Sequence, residues 1–581
     1  MSCILSRRAF LAVALTAIAL WLGGLSAHAQ SDPPAFDPAR WLPADTSAYV
    51  QLDMTDPNST NLTLNLALYA AAALQPERST FESRLRFDAF IPADLLDLED
   101  GSFEGDVLPW LTDSLTIAYG ALDSSLIAAP ENVLMLVPLR DPLQAATYLR
   151  RVLEGQDNLT QTTVRGERVY TGDKAALVIL SDLALIGAPD LVSASLDAGA
   201  GLTDALLDAP ACQSIRDAQS GDRGARLTAW FSGDSARAAL PFLLGADAVG
   251  VDTVQALGGA LAARRDRDSA ASLLLSGAVE AIGIQLYADL DAFRLRTRLI
   301  VQTARPFVTT DGATDDLLTW IPREAAFVQR GDSAAEAIDT MLLALPFRDY
   351  LTPTLGAFPV TVPVPDADAA PLTAPAPDDL LTALDGIRDG LSTLFDLDAN
   401  LIDELKGGYA LAVIPRPNNP LPVFNSAFDV LLIARADDAA GADRAASTMA
   451  LLLNAFADPA APVESVLHDG TAFAMLSIPT TGAPLIQVGA VDDLLIIGSG
   501  ESVERALDAR RGDNRLIDTE RWALVSEGGD APTTYFDAGV LLRLITPPDG
   551  APDNVPLRAI GFTARPLNDS VIELIAIFQV N

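Results

Sequence analysis

The sequence predicts an α+β fold made of two tandem homologous halves, each a large, mostly antiparallel sheet with helices packed on one face. Three observations predict it. The same order of segments occurs twice along the 581 residues. Strands such as Phe293–Val301 alternate apolar and polar residues, the period of an antiparallel sheet with one wet face. A strand-helix-strand-strand-helix rhythm recurs within each half, with helices carrying an apolar stripe.

The elements follow in order. The first copy opens with Trp41–Gln51 (WLPADTSAYVQ), the second with Trp320–Gln329 (WIPREAAFVQ), read here as one residue shorter. Each opening leads into a short strand and then an Ala/Leu-rich helix, near Leu62–Leu74 and Ser333–Leu345. Leu111–Ala118 then answers Leu405–Ala412. A strand and helix follow in both copies: Val133–Leu139 with Pro142–Leu153, and Val430–Ala434 with Ala440–Leu453. Pro142 suits a first helical turn and Asp141 its N-cap, while Arg150 and Arg151 stand outside the apolar stripe. Asp182–Gly187 (DLALIG) with Val192 and Leu196-Asp197-Ala198 matches Asp493–Gly498 (DLLIIG) with Val503 and Leu507-Asp508-Ala509. Both copies close on paired strands. Ala281–Ile284 with Phe293–Gln302 answers Ala559–Phe562 with Val571–Gln579, the turns falling at Asp289-Leu290-Asp291 and Pro566–Asp569.

These matches divide the chain into a signal peptide (1–29), a first α+β repeat (30–303) and a second (304–581). The second carries a Pro-rich acidic stretch, 353–377, expected as an exposed loop with polyproline character. The signal has a positive start (Arg7, Arg8), an apolar run (Ala9–Leu25) and a small-x-small cleavage pattern (Ala27-His28-Ala29). The apolar run is short for a membrane span. Ser6–Leu11 resembles a twin-arginine signal, and ordinary Sec export suits the same apolar run. Cys3 has no lipobox before it, so no lipid anchor is expected. A membrane tether remains open only if the signal is kept. Cleavage at Gln30 removes two arginines and takes the formal charge from −38 to −40. It leaves one cysteine, Cys212, and one histidine, His468, so no internal disulfide can form.

The opening Trp41–Val50, the run Asp106–Asp113 (DVLPWLTD) and the Asp-Leu-x-Leu-Ile-Gly pieces at Asp182 and Asp493 together resemble bacterial exported proteins of the domain-of-unknown-function family numbered 3352. The second copy departs from that pattern, lacking the Pro-Trp pair before Gly407. The resemblance implies an uncharacterised exported or envelope protein and supplies no catalytic residues.

Composition excludes several chemistries. A net charge of −38 disfavours nucleic acid and anionic membrane surfaces, both of which are bound by Lys and Arg. A Ser-His-Asp or Cys-His mechanism in the mature chain would need His468, which sits in Val466–Gly470 and reads as a solvated hairpin-turn residue. Cys212 follows Asp208-Ala209-Pro210-Ala211 near a helix start, without a second cysteine or a placed base, and reads as structural. One Cys and one His cannot assemble a zinc site. Asp396-Leu397-Asp398-Ala399-Asn400 begins like a calcium loop, but Leu401 and Gly407 stand where Gly and Glu are required. No Walker loop is present, and Lys174 and Lys406 are the chain's lysines. Gly498–Gly500 opens a helix and reads as a strand-to-helix turn rather than an anion cradle, since its counterpart Gly187-Ala188-Pro189 has lost a donor to proline. The RGD tripeptides at Arg330–Asp332 and Arg511–Asp513 are ordinary in so Arg- and Asp-rich a chain. Carboxylates are so abundant that pairs of them carry no signal.

No catalytic, cofactor or metal residue is therefore assigned, and no cofactor is expected. The sequence favours an exported, non-enzymatic binding or scaffolding protein of the cell envelope, its partner a protein or an apolar ligand. A carrier of an apolar small molecule or lipid is the first alternative, and a carboxylate-dependent hydrolase the second.

Overall fold

A computed structural model describes residues 36–74, 105, 107–121, 132–154, 160–172, 175–220, 224–236, 279–289, 293–304, 314–331, 333–334, 400–401, 403–416, 428–457, 462–478, 481–526, 531–540 and 557–580. The signal, Lys174, Asp332, the Pro-rich stretch 353–377, Asp396–Ala399 and most of the helix expected at Ser333–Leu345 lie outside them. The class is α+β with antiparallel strands. The chain divides into two compact units, Met1–Val308 with Thr563–Val580, and Thr309–Phe562.

In the first unit the strands are β1 (Ala48–Asp53), β2 (Ser114–Tyr119), β3 (Val133–Pro138), β4 (Thr160–Val164), β5 (Glu167–Thr171), β6 (Ala176–Ile179), β7 (Leu183–Gly187), β8 (Leu227–Ser232), β9 (Val279–Asp289) and β10 (Arg294–Thr303). They pair antiparallel in the order β4-β5-β6-β7-β3-β2-β1-β8-β9-β10. The last strand of the chain, β20 (Val571–Val580), pairs with β10 and completes this unit. In the second unit β11 (Phe327–Gly331), β12 (Tyr409–Pro415), β13 (Phe428–Arg435), β14 (Glu464–His468), β15 (Thr471–Ser477), β16 (Pro484–Val491), β17 (Leu494–Ser499), β18 (Thr534–Phe536) and the start of β19 (Leu557–Asn568, whose residues from Thr563 on belong to the first unit) pair antiparallel as β14-β15-β16-β17-β13-β12-β11-β18-β19.

The helices are α1 (Pro57–Leu74), α2 (Pro142–Glu154), α3 (Pro189–Gly199), α4 (Pro210–Gln219), α5 (Ala439–Phe456), α6 (Ser502–Arg510) and α7 (Glu520–Val525). Their starts are written locally. Asp141 accepts from the backbone N–H of Leu143 and Gln144, both at 3.0 Å, with Pro142 in the first turn. Asp438 accepts from Gly441 N at 2.7 Å. The first helix begins at Pro57 rather than near Leu62, because Asp56 binds both the backbone N–H and the hydroxyl of Ser59.

The Trp-x-Pro openings have a structural duty. Pro43 bridges to Ala205 and Pro322 to Arg515, while Leu206 N and Leu516 N donate to Leu42 O and Ile321 O at 2.7 and 2.9 Å. Each motif thus pins the start of its unit beside the short turn that precedes α4 or α7. The two openings are not offset by a residue as expected. Tyr49 lies between Ala118 and Trp230, and Val328 between Ala412 and Tyr535, so both strands keep the same distance from their tryptophans.

Two expectations are overturned. Helices do not share one face of the sheet in the second unit. Ala442 and Ala445 of α5 pack on Ala434, Val488 and Leu495, whereas Val503 of α6 sits against Gly498 of β17. Leu495 and Gly498 differ by an odd number of positions, so they face opposite sides of a strand. The continuous apolar run Leu494–Ile497 is the signature of burial on both faces. Nor is β10 half wet. Arg296 and Arg298 are each only 7% exposed, and Gln302 is buried beside them. Arg298 donates to Ala218 O of α4 at 2.7 Å, so α4 covers what alternation marked as the solvent face.

Candidate functional site

The side chains with most chemical potential gather where β17 turns into α6. Asp429 and Arg416 flank the β12–β13 connection. Both are buried, with Arg416 Nε donating to Asp429 Oδ2 at 2.7 Å. Ser499 Oγ donates to Asp429 Oδ1 at 3.3 Å and accepts from Val430 N at 2.9 Å. Ser502 Oγ donates to Val430 O at 3.1 Å. Gly500 adopts a φ of +55°, and a Cβ there would overlap the Arg416 guanidinium and the Asp429 carboxylate. The Gly498–Gly500 turn is therefore filled from beneath by the protein's own ion pair. It is a strand-to-helix turn, as the sequence suggested.

From Gly500 a second chain of bonds runs to His468. Gln487 Nε2 donates to Gly500 O at 2.9 Å, which aims Gln487 Oε1 at His468 Nε2, 2.7 Å away. The imidazole therefore donates through Nε2. Its Nδ1 faces Glu504 Oε1 of α6 at 3.8 Å, and its edge lies on the Phe473 ring, centroids 5.4 Å apart. His468 ends β14 beside the Asp469-Gly470 turn, as expected of a hairpin. It is not solvated, however, for its side chain is only 14% exposed. Phe473, Gln487 and α6 enclose it, contacts that no local pattern announces.

Burial pushes the Asp429 carboxyl above the usual carboxylate range, against the opposing pull of Arg416 and Ser499. A carboxyl whose folded value is raised favours folding while protonated, and loses that contribution as pH climbs through its folded value. Asp429→Asn mimics the protonated form at every pH. Its unfolding midpoint, measured against wild type from about pH 4 to about pH 7, should gain on wild type as pH rises. A difference that stays flat or shrinks would refute this.

The remaining candidates are structural. Cys212 is fully buried in the first unit's core with Ile215, Leu206 and Val192, and burial pushes its thiol up to about 12. The folded protein should therefore resist maleimide labelling, with modification appearing only in denaturant; rapid native labelling would contradict this placement. Arg330 pairs with Asp315 and donates to Pro532 O at 3.0 Å, and Arg511 joins Asp469 at 2.7 Å and Asp508, so both RGD arginines staple the fold. Of the calcium-like loop, Asn400 alone falls among the described residues. Among the described residues no group of three His, Cys, Asp or Glu side chains is placed to hold a metal ion.

Sequence reasoning missed one further cluster. In the first unit Glu573 of β20, fully buried, accepts from Arg298 and Arg565, while Arg298 Nη1 donates to Gln285 Oε1 at 2.9 Å. Arg296 lies over the Tyr287 ring, 4.0 Å from its centroid. The unexplained arginines of β10 were the available signal.

No family model matches the chain, and no curated protein matches it. Among solved structures it shows a distant likeness to TP0453. Crystal form I gives a TM-score of 0.24 at 10% identity over 47% of this chain and 82% of that one. Crystal form III gives 0.23 at 10% over 47% and 83%. Values this low transfer neither fold nor function. Among the described residues no helix is long and apolar enough to cross a membrane.

Proposed function

We propose that the chain is an exported, non-enzymatic binding or scaffolding protein of the bacterial cell envelope, built from two homologous halves. The observation that carries the reading is where its reactive side chains are spent. Cys212 is sealed in a core, His468 is bonded to Gln487, and Asp429 and Glu573 each hold buried arginines. These groups brace strands and turns, which suits a framework that presents surfaces.

Homology of the halves draws support from the pairing orders. Each unit threads its strands in the same sequence, from an outer hairpin (β4–β5 or β14–β15) inward to a short opening strand and out to a long closing strand. Both outer hairpins turn through two residues with positive φ, Arg165-Gly166 and Asp469-Gly470. Both are tied to the following helix region by an ion pair of reversed sense, Arg165 to Asp197 and Asp469 to Arg511. The motifs that resemble family 3352 coincide with the Trp-x-Pro bridges and the β7 and β17 turns.

Crosslinking in the intact source, followed by gentle purification and native mass spectrometry, tests the reading. A protein partner in fixed stoichiometry is expected. Carboxylate-dependent turnover of a glycoside or ester panel would overturn the non-enzymatic reading. A solvent-releasable apolar molecule would transfer the function to carriage.

A further inference from the structure

We propose that the first unit carries a binding site for a neutral sugar ring, on the face of its sheet where β2, β1 and β8 run side by side. This site is additional to the protein partner of the reading above, and its test stands apart from that one.

Strand register builds the site. Thr116, Gln51 and Thr228 lie opposite one another across the three strands. Two positions further along, Ser114 lies opposite Asp53, and Asp53 N donates to Arg226 O at 3.0 Å. Alternate residues of a strand share a face, so these six polar side chains form two rows on one side of the sheet. The residues between them, such as Leu115, Leu52 and Leu227, are apolar and buried on the other side. β2, β1 and β8 each have a strand on both flanks. Gln51, Thr228, Asp53 and Arg226 are nevertheless only half-buried, so solvent reaches the sheet face itself at this point.

Ser114 and Thr116 are 5% and 0% exposed, and neither hydroxyl finds a hydrogen-bond partner among the described residues. Buried hydroxyls are normally paired. Two such groups beside an opening to solvent call for a ligand that both donates and accepts. The neighbouring groups set its character. Gln51 Nε2 donates to Phe36 O at 2.9 Å, which leaves Oε1 as an acceptor for the site. Arg226 Nη1 donates to Asp53 Oδ2 at 2.5 Å, and Thr55 N to Asp53 Oδ1 at 2.9 Å. The ion pair cancels, so the patch has no net charge to hold an ion. A neutral polyhydroxylated ring suits it, since each sugar hydroxyl can accept from one side chain and donate to another. Three strands span about 10 Å and the two rows about 7 Å, the footprint of one pyranose.

In the second unit the same place is closed. Arg330 stands where Gln51 does, and donates to Pro532 O and Thr314 Oγ1, each at 3.0 Å. Ala410 and Gly408 stand where Thr116 and Ser114 do, and a Cβ on Gly408 would overlap the Thr314 methyl. The chain's own side chains thus fill the space that the first unit leaves polar and open.

Saturation-transfer NMR and calorimetric titration of the purified chain with glucose, galactose, mannose and N-acetylglucosamine test the proposal, with glucuronate as the anionic comparison. At least one neutral sugar is expected to bind with a dissociation constant on the order of 1 mM, since a single ring offers few atoms. Ser114→Ala/Thr116→Val keeps the shape, removes both hydroxyls and should weaken that binding at least tenfold. Its unfolding midpoint should equal or exceed that of wild type, because an unpaired buried hydroxyl adds no stability. Thr162→Val, which removes an exposed hydroxyl of β4, should leave binding unchanged. The proposal is overturned if none of the neutral sugars binds, if binding survives the double variant, or if glucuronate alone binds. A lowered midpoint in the double variant would also overturn it, by showing that the hydroxyls are paired within the fold. So would crystals soaked in the sugars that hold only ordered water at this place.

Discussion

Replacing Glu573 by alanine should lower the stability of the first unit by about 3–5 kcal/mol, since it strips a buried guanidinium of its counter-charge. Glu573 is fully buried and is shared by Arg298 and Arg565. Arg565 is 44% exposed and can turn to water, but Arg298 cannot, held as it is by Gln285 and Ala218 O. The cost is that of an uncompensated charge, not of a lost attraction. The double variant Arg298→Met/Glu573→Leu should therefore recover most of the loss. Urea unfolding, with hydrogen exchange on β9 and β10 to localise the change, measures both. A loss below about 1 kcal/mol in Glu573→Ala would mean that Arg298 finds water.

Trp110→Ala should be comparably severe, at about 3–5 kcal/mol, by opening a large cavity. The indole is fully buried and packs on Tyr148 of α2, ring centroids 5.8 Å apart. The Trp110 carbonyl also accepts from Arg140 N at 2.8 Å, just before the Asp141 cap. The side chain thus sets where α2 docks. Trp110→Phe should cost markedly less, as it keeps a ring in the site. Since Trp110 lies in the first unit, the loss should appear in that unit's unfolding transition alone. A single transition that shifts as a whole would show that the units unfold together.

Much of the fold was legible because it is encoded locally. Asp141-Pro142 announced a helix start, and the β7 and β17 strands stood out as apolar runs ended by glycine. Apolar runs of this kind also carried a message that alternation elsewhere obscured. Val133–Val137 and Leu494–Ile497 have no polar face, so both sides of their strands had to be covered. The alternation in β10 misled because its polar residues are buried against α4 and β20, elements distant in sequence. The site was less legible for the same reason. Arg416 and Asp429 meet only when β12 and β13 pair, and His468 meets Gln487 across the width of β15. A turn histidine and a buried histidine look identical until the strands beside them are placed.

The place of β20 imposes a timetable on the chain. The first unit is complete only with Thr563–Val580, and in it Ile300 of β10 lies opposite Glu573 of β20. A ribosome delivers residues in order, so the first unit must wait, with one edge of β10 lacking its neighbour and Arg298 its carboxylate, until β20 emerges. The first unit therefore completes its fold only after the second unit's described strands have been made. An interrupted or C-terminally clipped chain would carry a lasting defect in the half that was made first.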